Sequence, residues 1–324
     1  MSHYLVAGAA GFIAARVAEL LIESGHSVVG VDNLNDAYDV RMKQYRLEKL
    51  QALENFSFHK VDIGDKEQTL ALESAGPFDG IINLAARAGV RSSVEDPWIY
   101  VDTNMVGTLN LLELAKRSGA KKFVLASTSS IYGQDAPLPT PESAESSFPL
   151  QPYAASKKGA EAMAHAYHFL HDLDVSVVRY FTVYGPAGRP DMSMFRFIRW
   201  IIEGAPIQLN GDGSQTRGFT YVDDIARGTI LALKPVGFEI FNLGGHESIS
   251  ILELIHLIEE QAGKQAVIEE QPFPKADMRA NQANVEKAGE QLGWEPQMGL
   301  QTGVAKSIEW YMAERDWVSQ IDID

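Results

Sequence analysis

From residue 4 to residue 180, short apolar runs alternate with stretches of helical period, and that alternation constrains the fold more than any other feature. Residues 4–7, 28–31, 56–61, 80–84, 123–126 and 175–180 read as strands. Between them, residues 12–24, 40–53, 66–74, 102–118 and 156–170 read as helices, with Gly25 and Gly119 as stop signals. Strands apolar on both faces need cover on both faces, which predicts a parallel sheet between helical layers. Right-handed crossovers then give an α/β, doubly wound (Rossmann) fold. After Tyr184 the elements shorten and are cut by Gly185-Pro186, Gly211-Asp212-Gly213 and Gly244-Gly245. The expected division is residues 1–184 for the nucleotide-binding domain and 185–324 mainly for a smaller C-terminal substrate lobe, with a chain free to cross back.

Bulk properties narrow the function. The 324 residues are 45% hydrophobic and 22% charged, enough for a sizeable core. A formal net charge of −15 argues against nucleic acid or a membrane surface as partner. The chain has no cysteine, so disulfides, thiolate catalysis and cysteine metal sites are excluded. No signal-peptide pattern opens it and no apolar run approaches the ~20 residues that span a bilayer. A cytoplasmic enzyme is expected. His165, His168 and His171 fan around one helix rather than converging, so no metal is expected.

The first strand runs into Gly8-Ala9-Ala10-Gly11-Phe12-Ile13-Ala14. Glycines there permit a tight turn and bring main-chain N–H groups at a helix start towards a pyrophosphate. Alone, the spacing also fits an ordinary strand-to-helix turn. Its context is stronger, because Asp32 ends the second strand, where a carboxylate accepts hydrogen bonds from ribose hydroxyls and repels a 2′-phosphate. NAD is therefore expected over NADP. Asp62 and Ile63 end the third strand at the expected adenine position, and Leu84-Ala85-Ala86 ends the fourth with small residues suited to a chain passing under a dinucleotide.

Tyr153 and Lys157 stand four apart at a helix start, on one face. A lysine there is expected to lower the phenol's pKa and make it a usable base. Ser127-Thr128-Ser129-Ser130 follows the fifth strand, where hydroxyls would face a nicotinamide; the plainer reading is a helix-capping loop. The ordered set of glycine turn, acidic strand end, hydroxyl cluster and Tyr-x-x-x-Lys favours the chemical reading.

With these residues in view, the chain resembles the extended short-chain dehydrogenases over nearly its whole length, and among them is most similar to UDP-glucuronate 4-epimerases. The closer match is carried by residues 32–36 (Asp-Asn-Leu-Asn-Asp), 88–91 (Ala-Gly-Val-Arg), 127–133, 179–186, 189–192, 211–217 and 221–224. The resemblance implies Tyr153 as base, Lys157 as its partner and Thr128 as helper hydroxyl. It places Asn33, Ser127 and Tyr180 against NAD, with Asn104 bracing the lysine region. It implies a UDP-sugar substrate met by Arg91, Arg189, Arg217 and Asp277, and a homodimer paired through the helices near residues 105–115 and 162–170. Ala7, Ala14 and Ala37 depart from the usual pattern, as does the 271–277 loop.

The epimerase reaction carries a hazard when C5 bears a carboxylate, because the 4-keto intermediate is a β-keto acid that loses carbon dioxide when the breaking bond aligns with the carbonyl. Thr128, Ser129, Ser130 and Thr182 are neutral donors that the resemblance places to pin that carboxylate. The dehydratases similar to this chain carry an Asp-Glu pair where Ser129-Ser130 stands here, so elimination lacks its general acid. A UDP-glucose or other nucleotide-sugar 4-epimerase, a UDP-glucuronate decarboxylase and a non-catalytic NAD-binding regulator stay as alternatives.

Overall fold

The structure, a computed structural model, describes residues 1–245, 247–274 and 278–323. The first half runs β1 (His3–Ala7), α1 (Phe12–Glu23), β2 (Ser27–Asp32), α2 (Arg41–Gln51), β3 (Phe56–Lys60), α3 (Lys66–Ala71), β4 (Gly80–Asn83), α4 (Ser92–Glu95), α5 (Trp98–Tyr100), α6 (Gly107–Ser118), β5 (Lys122–Thr128), α7 (Pro152–His171) and β6 (Asp174–Tyr180). The second half runs β7 (Thr182–Tyr184), α8 (Ser193–Glu203), β8 (Pro206–Asn210), β9 (Thr216–Tyr221), α9 (Val222–Leu231), β10 (Phe238–Leu243), β11 (Ser248–Ser250), α10 (Ile251–Ala262), β12 (Val267–Gln271), β13 (Ala280–Asn281), α11 (Glu286–Leu292) and α12 (Leu300–Ala313).

Seven parallel strands form one sheet in the order β10-β6-β5-β4-β1-β2-β3. The chain winds one way from β1 to β3 and the other way from β4 to β10. The switch between β1 and β4 opens the crevice where ligands of such sheets bind. Leu5, Val6 and Ala7 are wholly buried because both faces are covered. Leu111, Leu114, Ala160 and Ala164 of α6 and α7 pack on one face. Val17, Leu21, Ile225 and Trp294 pack on the other.

The chain does cross back. β10 pairs with β6 from Phe238↔Val175 to Leu243↔Tyr180 and so completes the first sheet. Helix α9 packs on α1, where Arg16 Nε lies 2.8 Å from Asp223 Oδ1. The Trp294 indole donates to the Asp224 carbonyl at 2.7 Å. A single cut at residue 184 therefore divides the chain but not its layers. The lobe has its own core, in which Phe195, Ile198, Leu254, Ile258, Val304 and Tyr311 of α8, α10, α12 meet β9. Burying each such side chain stabilises by roughly 1.5–3 kcal/mol before entropy is counted.

Two local findings differ from expectation. Helix α7 begins at Pro152, not at residue 156, because a proline at the first helical position loses no hydrogen bond. Tyr153 and Lys157 thus both lie within regular helix. The helix expected from residue 102 starts instead as a π-helical segment, Val101–Val106, before α6. Among the described residues, no helix is long and apolar enough to cross a membrane.

Candidate active site

The glycine turn sits at the β1–β4 switch. Gly8 has φ +81°, and a Cβ on it would stand 2.8 Å from the Ala85 Cα; one on Gly11 would stand 2.8 Å from the Gly8 oxygen. Both positions therefore require glycine. No side chain caps α1, so the N–H groups around Phe12 and Ile13 are turned to the crevice for an anion. Ala14 is buried against the sheet. Asp32 ends β2, and its carboxylate accepts from the Ala10 N–H at 3.2 Å and the Leu34 N–H at 2.8 Å. Each oxygen keeps lone-pair capacity for a ribose hydroxyl. Asn33 donates to Asp62 at 2.9 Å, linking the ends of β2 and β3. Leu84 and Ala85 run directly beneath the turn, with Ala86 following half-buried. These residues fit a dinucleotide.

Three expected cofactor residues are turned elsewhere. The Ser127 hydroxyl donates to Glu161 Oε1 at 2.6 Å, away from the crevice, because Ser127 and Thr128 alternate across the pleat of β5. The Tyr180 phenol is hydrogen-bonded to Thr229 at 2.7 Å within the core, which pushes its pKa up through burial. Ile63 packs its side chain against Gly107 in the core. Only the main chains of these residues remain to face a ligand.

The Thr128 hydroxyl stands close enough to the Tyr153 phenol to act on its ionisation. Burial pushes the Tyr153 phenol above its ordinary value, while the Thr128 hydroxyl and the charge of Arg189 pull it back. The Lys157 ammonium donates to the Ala126 carbonyl at 2.9 Å, and burial brings it down to about 8, with Glu161 opposing the fall. Asn104 braces this region through direct contacts: its amide donates to Ser156 Oγ at 2.9 Å and exchanges hydrogen bonds with the Arg87 main chain.

Thr128 bonds with Ser130 at 3.2 Å from both its hydroxyl and the Ser130 N–H, at the start of the 3-10 turn Ser129–Tyr132. Ser129 lines a cavity of about 480 Å³ together with Tyr132, Phe181, Phe273, Arg279 and Asn281. Thr182 opens β7, half-buried. Arg189 forks onto Asp191 and also reaches the Ala88 carbonyl at 3.4 Å. Burial opposes the Arg189 charge, but Asp191 outweighs it and holds the guanidinium protonated. Arg217 donates to the Thr216 and Met278 carbonyls, tying β9 to the segment that leads into β13. Arg91 lies exposed at the start of α4. Asp277 lies outside the described residues.

The structure adds a buried pair that the sequence did not single out. Arg179 forks onto Glu161 at 2.9 and 2.7 Å, with the two residues 1% and 3% exposed. Arg179 also donates to the Tyr132 phenol, which donates to Asn242. Arg46 is a second such residue, joining the glycine turn at the Ala10 carbonyl to the Ala187 and Gly188 carbonyls. The signal available in sequence was only a charged residue in a helical or strand pattern, which usually means a solvated face.

Comparison with known proteins agrees with this geometry. The "UDP-glucuronate 4-epimerase" of Thermodesulfobacterium geofontis is 52% identical over 324 residues, all of both chains. The crystal structure of a UDP-glucuronic acid 4-epimerase from Bacillus cereus, in complex with UDP-glucuronic acid and NAD, superposes with a TM-score of 0.90 at 34% identity, covering 96% of this chain and 99% of that one. A UDP-glucose 4-epimerase from Thermotoga maritima, with UDP-glucose, gives a TM-score of 0.89 at 32% identity, covering 97% and 99%. Residues 4–244 match the NAD dependent epimerase/dehydratase family, and the chain belongs to that family.

Proposed function

We propose that this chain is an NAD-dependent UDP-glucuronate 4-epimerase, interconverting UDP-glucuronate and UDP-galacturonate through a 4-keto intermediate. Overall shape does not choose the substrate, since a glucuronate and a glucose epimerase superpose almost equally well. The observation that carries the reading is the hydroxyl set at the end of β5, of which Ser129 lines the cavity. Thr128 ends β5 and Ser129 and Ser130 follow it, without a carboxylate among them, and Thr182 stands at the start of β7. Such a set donates to an anionic C6 and offers no acid for water loss. The relative at 52% identity over the full length supports the same reading.

The chain's own residues divide the work. Gly8, Ala10, Gly11, Phe12 and Ile13 cradle the pyrophosphate, Asp32 and Asn33 take the adenosine ribose, and Asp62 with the Ile63 main chain borders the adenine. Leu84, Ala85 and Ala86 floor the crevice, with Asn104 behind them. When bound, NAD would supply the hydride acceptor, and on return the hydride donor, that C4 inversion needs. Tyr153 removes the proton of the 4-hydroxyl and later returns it, Thr128 shares that proton's hydrogen bond, and Lys157 holds positive charge nearby. Ser129, Ser130 and Thr182 keep the carboxylate out of the alignment that releases carbon dioxide. Arg91, Arg189, Arg217 and Asp277 are assigned to the nucleotide diphosphate and ribose.

A second copy of the chain is the expected partner. Phe169 and Leu170 near the end of α7 are 77% and 66% exposed, and Trp98 on α5 is 77% exposed. Apolar exposure on that scale marks an association face. The functional test is to incubate the enzyme and NAD with UDP-glucuronate and UDP-glucose in parallel and identify products by NMR. UDP-galacturonate supports the proposal. A pentose with carbon dioxide would replace it by a decarboxylase, and UDP-galactose alone by a glucose epimerase.

A further inference from the structure

The cavity beside the hydroxyl set holds one polar group to which no part in the reaction has been given. Asn281 ends β13, which the lobe holds parallel to β9 through Asn281↔Arg217. The residue is 8% exposed. Its Nδ2 donates to Ser129 Oγ at 3.0 Å, while its Oδ1 is buried with no hydrogen-bond partner among the described residues. Both residues line the same cavity. A buried amide oxygen left unpaired points to a ligand that pairs it, since native interiors seldom leave such groups unmet.

The donor direction has a chemical consequence. A hydroxyl carries one hydrogen and two lone pairs, and an amide N–H has only a hydrogen to give. With Asn281 occupying a lone pair of Ser129, the serine hydrogen is turned away from Asn281. Thr128 donates to Ser130 Oγ and accepts from the Ser130 N–H, whereas Ser129 is the hydroxyl of the set whose direction is imposed from the opposite side of the cavity.

We propose that Asn281 is a positioning residue for substrate choice, aiming the Ser129 hydroxyl as a donor at an anionic C6 group while its own carbonyl accepts from a hydroxyl of the bound sugar. This rests on the uronate reading given above. A carboxylate accepts and never donates, so a hydroxyl set as donor matches it. A neutral C6 hydroxymethyl group would be served equally well by a hydroxyl free to turn. Asn281 acts through Ser129 and touches no reacting atom.

The test uses full-length enzyme with NAD in a Tyr153→Phe background, so that ligands bind without turnover. Calorimetry compares UDP-glucuronate, UDP-xylose, which lacks C6, and UDP. Asn281→Asp takes the serine hydrogen for itself and adds a negative charge, and should weaken UDP-glucuronate at least about tenfold. UDP-xylose and UDP should hold within about twofold. Asn281→Ala should weaken UDP-glucuronate less, and its effect should shrink, once Ser129→Ala is already present, to the loss of the carbonyl's own contact with the sugar. Equal loss for all three ligands, no loss for UDP-glucuronate, or an undiminished Asn281→Ala effect without Ser129 would overturn the assignment. If the background itself binds UDP-glucuronate no better than UDP-xylose, the uronate reading fails first and this inference with it.

Discussion

The Lys157 ammonium donates to the main-chain carbonyl of Ala126 at 2.9 Å, anchoring α7 to the third-last residue of β5. Two residues further along that strand, Thr128 meets the Tyr153 phenol. One strand end thus receives both Tyr153 and Lys157 of α7, one turn apart, and holds the phenol and the charge at fixed separation.

The Lys157 value of about 8, below its ordinary 10.5, sets a signed pH prediction. Charged lysine is abundant below about pH 8 and is lost above it, so kcat/KM should fall as pH rises through that value. Stability should move the other way. The unfolded chain binds this proton more tightly, so the group's contribution is fully present above 10.5 and is lost as pH falls through about 8. Lys157→Arg keeps its charge throughout, and should move the alkaline limb upward even if its rate is lower. An unmoved limb would assign it to another group.

Tyr153→Phe keeps the ring and removes the ionisable oxygen. Turnover should fall by up to ~10⁴-fold, the usual scale for a general base, while NAD stays bound. Activity near that of the wild type, in folded protein judged by circular dichroism, would exclude Tyr153 as base.

Ser130→Ala and Thr182→Ala each remove one donor from the hydroxyl set at the end of β5 and the start of β7. A hydrogen bond to a charged group contributes about 1.5–3 kcal/mol, or roughly one to two decades in partitioning. The ratio of UDP-4-keto-pentose to UDP-galacturonate formed from UDP-glucuronate should rise as epimerisation slows. Loss of activity at a constant ratio would mean that these hydroxyls bind the substrate without protecting the intermediate.

Glu161→Ala leaves Arg179 charged and unpaired in the sheet interior. Removing one member of a buried pair costs about 3–5 kcal/mol, to be read from urea midpoints. Replacing both Glu161 and Arg179 with methionine should recover much of that loss, because no orphaned charge remains. A single-variant change under about 1 kcal/mol would show the pair to be dispensable.

The layered sheet was legible because burial on both faces writes itself into the chain as apolar runs such as residues 5–7 of β1 and 123–126 of β5. The glycine turn and Asp32 were legible for a related reason, since Gly8 holds a left-handed φ that few other residues adopt and Asp32 sits within hydrogen-bond reach of that turn. The Tyr153–Lys157 spacing is likewise a helix property, fixed by 3.6 residues per turn. None of these needs knowledge of distant chain. The direction and partner of each side chain are another matter. Whether Ser127 faces a cofactor or Glu161 depends on which face of β5 receives α7. The meeting of Ser129 with Asn281 spans 152 residues and exists only because β9 carries β13 to the cavity. The π-helical turn before α6 holds Asn104 against both the Arg87 main chain and Ser156, contacts to two separate segments that local propensity does not encode. Sequence by itself determined the kinds of residue and their local geometry, through short-range sterics and periodic burial; tertiary packing alone decided which donor meets which acceptor, because those hydrogen bonds join segments that only the folded sheet brings together.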